Sequence, residues 1–201
     1  MAMGANRDLV ARNIAVATRL WAGATVFFFL GPFFAYAYLR SLDSAGLWRP
    51  AGVDPPQDFG AAIMLLAAAS GVALVLAARD SDAPRNRPWL MLVTLSLVLG
   101  LGAVALQIVE YARLGFGPTD GGYAGVFVAW TALTALLTLV TMIWLETLLA
   151  YELRSRKRTS TPGDDPDGPS ALIQPRLRAL AFYWAFLSAL GVVMWIVLYL
   201  A

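Results

Sequence analysis

Five apolar runs govern what this chain can become. They cover about residues 21–39, 60–78, 89–109, 123–149 and 179–200. As a helix, each is long enough to cross the roughly 30 Å hydrocarbon core of a bilayer. In that medium every backbone N–H and C=O must find its partner within the protein, which for runs like these means a helix. The expected fold class is therefore all-α, a polytopic bundle of five transmembrane helices forming one membrane domain over 1–201. Composition agrees. The 201 residues are 59% apolar and 14% charged, against roughly 45–50% and about 25% in soluble domains.

The basic residues set the expected orientation. Of the 15 Lys and Arg, only Arg40, Arg49 and Arg113 sit at one set of helix ends. All the others, including Arg85, Arg87, Arg156, Lys157 and Arg158, sit at the opposite ends. The richer side is expected to be cytoplasmic, with the N-terminus inside and the C-terminus outside. Met1 to Arg19 reads as a retained cytoplasmic tail because no A-x-A cleavage site precedes the first run. The connections are a proline-rich loop around Trp48, a short polar loop from Arg79 to Pro88, a glycine-rich turn after Glu110, and a polar cytoplasmic loop over 150–178. Trp48 is expected on the membrane interface, with Tyr36 and Tyr38 in an aromatic belt. Basic residues placed in this way are topology signals and predict no nucleic-acid partner.

The chain contains no Cys and no His. This excludes disulfides, thiolate catalysis and iron–sulfur ligation, and it removes the commonest metal ligand and proton shuttle. Met64, Met91, Met142 and Met194 stand alone, with no second ligand at helical spacing. No Lys lies within a span to form a Schiff base, and Ser70 and Ser96 have no membrane-embedded base beside them. No catalytic residue, cofactor site or metal site is expected in this chain.

What remains is polar material for packing. Gln107 and Glu110 share one helical face as the third run ends. Glu110 is expected to bond to loop backbone or to Arg113, and Glu146 to reach the cytoplasmic interface. An intramembrane carboxylate also makes a candidate ion or proton site. Thr131, Thr134, Thr138 and Thr141 lie on one face of the fourth run. Each hydroxyl can bond to its own helix one turn back, and together they can form a helix–helix seam. Ala67 and Gly71 give small-xxx-small spacing in the second run, while Gly100 and Gly102 thin the third. Gly31-Pro32 frees a backbone carbonyl in the first and is expected to kink it.

Gln107-x-x-Glu110-Tyr111, Asp120-Gly121-Gly122-Tyr123 and Gly125-Val126-Phe127 together resemble the helix–turn–helix segment of subunit III of heme–copper oxidases. FFFLGPFFAYAYLR is similar to the first helix of that family's five-helix bacterial form. Trp48-Arg49-Pro50-Ala51-Gly52 is similar to its W-P-P-x-G loop, and Phe182-Tyr183-Trp184 to its Y-Y-W signature. The departures lie in ionisable residues. Thr134 and Leu137 fall where the family usually has two histidines, Thr25 falls on its glutamate, and Ala185 follows Trp184 where the family has His.

The resemblance implies a non-catalytic subunit in a bacterial plasma membrane, packed against catalytic subunit I and other subunits of a cytochrome c or quinol oxidase. Heme and copper would lie in the partner subunit, and phospholipid would bind between helices. Gln107, Glu110, Tyr123, Thr131, Thr134, Thr138 and Trp184 are the residues expected to contact lipid or a partner helix. Three alternatives remain. One is a small transporter or channel using Gln107, Glu110 and the threonine face, another an assembly factor, and the third a subunit of a nitric oxide reductase complex.

Overall fold

The computed structural model describes residues 2–43, 46, 48–79, 87–158 and 172–200. Among the described residues every regular element is helical. In chain order these are α1 (Ala2–Ser41), α2 (Gln57–Arg79), α3 (Arg87–Arg113), α4 (Gly122–Arg158) and α5 (Ile173–Trp195), followed by a π-helical turn at Ile196–Leu200. All five α-helices are long and apolar enough to cross a membrane.

Two helices run past the apolar runs that mark them in the sequence. α1 has 40 residues and α4 has 37. At 1.5 Å per residue α1 is about 60 Å long, roughly twice the hydrocarbon core. The basic N-terminal segment is thus the beginning of α1, built from residues such as Ala, Arg and Leu that favour helix. Pro32 lies inside α1, which continues through it as one helix. The polar loop expected over 150–178 is narrower than its composition suggests, because α4 carries on to Arg158 and α5 already starts at Ile173. Its centre, 159–171, and most of the second polar loop, 80–86, with Arg85, lie outside the described residues. So do the side chains of Arg7, Arg87, Arg156, Lys157 and Arg158.

Small side chains bring the helices together. α2 packs against α3 and α5, and α1 against α4 and α5. At Gly71 an added Cβ would stand 2.9 Å from the Ser188 hydroxyl, and that hydroxyl donates to the Ala67 carbonyl at 3.2 Å. The small-xxx-small pair therefore seats α2 on α5 with a hydrogen bond across the seam. Gly100 leaves the space that the fully buried Met142 side chain fills between α3 and α4, whereas a Cβ at Gly102 would only touch Leu66.

Several polar groups inside the bundle are tied to one another, as hydrocarbon surroundings favour. Ser70 donates to the Ser96 carbonyl at 2.6 Å, and the Trp184 indole N–H donates to Ser70 at 2.9 Å. This links α2, α3 and α5 at one level. Thr25 meets the Tyr183 hydroxyl at 3.2 Å and bonds back to the Trp21 carbonyl at 2.9 Å. Beside it, Phe29 and Phe33 set their rings edge-on to Trp130. These contacts join α1 to α5 and α4.

Candidate functional site

The densest polar group lies where α3 ends, α4 begins and the chain completes its final turn. Gln107 and Glu110 are one turn apart on α3, and the Gln107 amide donates to Glu110 Oε2. The other carboxylate oxygen, Oε1, accepts the Tyr199 hydroxyl at 2.7 Å. Glu110 is fully buried, and both its oxygens are engaged. Its observed partners thus differ from the expected loop backbone or Arg113. The Arg113 guanidinium instead lies over the Phe59 ring, 5.3 Å from its centroid. Glu146 is exposed on α4.

The π-helical turn presents two groups to this end of the bundle. Tyr199 reaches Glu110, while the Leu198 carbonyl accepts the Tyr123 hydroxyl from α4. Gly60 at the start of α2 makes room for the turn, since any Cβ there would run into the Tyr199 ring. Aromatic packing completes the assembly, with Phe127 stacked on Tyr123 and edge-on to Tyr199.

The loop between α1 and α2 folds back onto the start of α4. The Trp48 carbonyl accepts the Tyr123 backbone N–H at 2.9 Å. The Trp48 indole sits edge-on between Tyr36 and Tyr123, 5.2 and 5.7 Å from their ring centroids. The Arg49 guanidinium covers the Tyr123 ring at 4.7 Å and pairs with Asp54 at 2.7 Å. Tyr36 is therefore buried beside Trp48, with its hydroxyl taking an Arg40 N–H, whereas Tyr38 is exposed. At the α3–α4 turn, the Asp120 carboxylate accepts the Gly117 N–H at 2.6 Å.

The threonine face divides in its behaviour. Thr131, Thr134 and Thr141 donate to carbonyls one turn back at 2.7 to 2.9 Å. Thr131 also meets the Tyr111 hydroxyl at 2.7 Å, and Thr134 lies 3.1 Å from the Met194 sulfur. Those two contacts cross to α3 and α5. Thr138 is buried and makes no hydrogen bond to a described residue.

The structure thus brings Gln107, Glu110 and Tyr123 to one end of the bundle, with Thr131 beside them through Tyr111. Thr134 and Thr138 border a neighbouring cavity that Gln107 shares. Trp184 stands apart at the Ser70–Ser96 tie. Reading the sequence passes over the roles of Tyr199 and Gly60, and it presents Ser70 and Ser96 only as candidate nucleophiles, not as a bonded pair. The available signal was chemical, because a tyrosine in the last apolar run needs a partner for its hydroxyl.

The family model for cytochrome c oxidase subunit III matches residues 2–201. The chain belongs to that family. Curated relatives named cytochrome c oxidase subunit 3 agree along nearly the whole chain. That of Ornithorhynchus anatinus is 27% identical over 98% of this chain and 72% of its own length. That of Petromyzon marinus is 27% identical over 99% and 72%, and that of Scyliorhinus canicula 29% identical over 90% and 66%.

As a member of the subunit III family, this chain has a donor set that does not fit heme or copper, since it has neither His nor Cys. Among the described residues no group of three or more acidic, Cys or His side chains is placed to hold a metal ion. Thr25 and Thr134, where the resemblance places an acid and a histidine, are neutral side chains bonded within the bundle.

Proposed function

We propose that the chain is a non-catalytic, subunit III-type component of a respiratory heme–copper oxidase in a bacterial plasma membrane. It packs against catalytic subunit I and neighbouring subunits, keeps them in shape and binds phospholipid. The heme and copper belong to the partner. The observation that carries this reading is the subunit III match over residues 2–201, in a chain that has neither His nor Cys. The N-terminus lies on the cytoplasmic side, in keeping with the distribution of Arg and Lys.

Two surface features suit phospholipid. A cleft of about 440 Å³ between α1 and α5 is bordered by Arg12, Arg19 and Arg178, with Ala15, Ala179 and Phe182 along its apolar wall. Between α2 and α5 runs an apolar groove of about 390 Å³ that also borders Arg79. Guanidinium groups beside apolar channels match a phosphate headgroup and its acyl chains. A transporter or channel reading has no comparable support, because the buried Glu110 already has both oxygens occupied within the bundle.

The test is a mild-detergent pull-down of the tagged chain from its native membrane, followed by a visible spectrum of the eluate. Heme absorbance and a co-eluting catalytic subunit are expected. A chain that elutes alone without heme, or that moves solute unaided in liposomes, overturns the proposal. Recovery only with immature complexes favours an assembly factor, and recovery with a nitric oxide reductase reassigns the partner.

A further inference from the structure

A cavity of about 40 Å³ lies among α2, α3, α4 and α5, beside the Gln107–Glu110–Tyr199 group. Much of its wall is apolar, including Ile63, Met64 and Val104, but Gln107, Thr138 and Trp195 also border it. One of these polar groups, the Thr138 hydroxyl, has no use among the described residues. Thr138 is 5% exposed, and its hydroxyl makes no hydrogen bond to a described residue, unlike those of Thr131, Thr134 and Thr141. The Trp195 indole N–H has no acceptor among the described residues, but it is closed off from the cavity by its neighbours.

Buried donors without partners are rare, and ordered water is the usual remedy where space allows. One water needs roughly 10–15 Å³ of such space and two to four polar neighbours. The cavity therefore has room for about three. We propose that it is a water site, in which bound water bonds to the Thr138 hydroxyl and reaches Gln107. Glu110 is then one side chain away from bound water inside the bundle. The inference rests on the cavity and the unpartnered Thr138 hydroxyl and does not depend on which complex the chain joins.

Cryo-electron microscopy of the complete complex in lipid nanodiscs, at a resolution that shows water, tests this directly. At least one density peak is expected within hydrogen-bonding distance of Thr138 Oγ1, and it should be lost or displaced in Thr138→Val. An empty cavity, a lipid or detergent tail filling it, or peaks unchanged by the substitution overturns the proposal. A second measurement needs no variant. Hydroxyl-radical footprinting of the native complex in ¹⁸O-water should label Met194, 6% exposed but bordering the cavity, faster than Met91, which is 68% exposed on the outer surface. Slower or equal labelling of Met194 also overturns it.

Discussion

Tyr199 donates its hydroxyl to Glu110 at 2.7 Å, joining residues 89 positions apart in the chain. The bond closes the final turn onto the end of α3. Gln107 occupies the second carboxylate oxygen, so the group is satisfied without a cation.

Removing the Tyr199 hydroxyl should loosen this closure. Tyr199→Phe keeps the ring packing against Phe127 and Trp195 but leaves one Glu110 oxygen without a donor. A loss of about 1–2 kcal/mol is expected, read as a lower thermal midpoint of the purified complex with an unaltered heme spectrum. An unchanged midpoint would show that the bond contributes nothing.

Gly60 and Gly23 make a matched pair for testing close approach. A Cβ at Gly60 collides with the Tyr199 ring, while Gly23 has open space around it. Gly60→Ala should therefore destabilise the complex and raise protease sensitivity at its C-terminal end, and Gly23→Ala should do neither. Equal behaviour of the two variants would contradict the packing of the last turn on α2.

The serine tie calls for a double-mutant cycle. Ser70→Ala removes the acceptor for the Trp184 N–H, and Trp184→Phe removes the donor. Coupling energies between polar side chains inside membrane proteins average about 0.6 kcal/mol and reach about 1.7 kcal/mol. A coupling in that range is expected from unfolding in mixed micelles, and strict additivity would dissolve the pair.

Replacing Arg12, Arg19 and Arg178 together with Gln should reduce the anionic phospholipid that co-purifies with the complex. Mass spectrometry of extracted lipid gives the measurement, and the heme spectrum should be unchanged. Retention of the full lipid complement would remove the α1–α5 cleft as a headgroup site.

The five helices are legible in the sequence because a bilayer demands long apolar runs, and nothing about their partners is needed to see them. Their ends are less legible. α1 and α4 continue as helix through Arg-rich stretches that contain no proline to stop them, so composition marks where the hydrocarbon-length run ends and not where the helix does. The pairing of Gln107 with Glu110 follows from a spacing of three on one helix. Glu110 with Tyr199, or Ser70 with Trp184, leaves no such trace, because contacts between distant helices have no periodicity to read. The threonine face shows a related limit. Spacing places four hydroxyls together, but it does not say that three of them bond to their own helix.

α5 and its terminal turn are fastened at more than one height, among them to Ser70 near the middle and to Glu110 at the end. A rod held by a single bearing can pivot; one held by two cannot. A push delivered to α5 by an adjoining subunit would be carried into α2 and α3 as a displacement of the trio, not absorbed as a swing of one member.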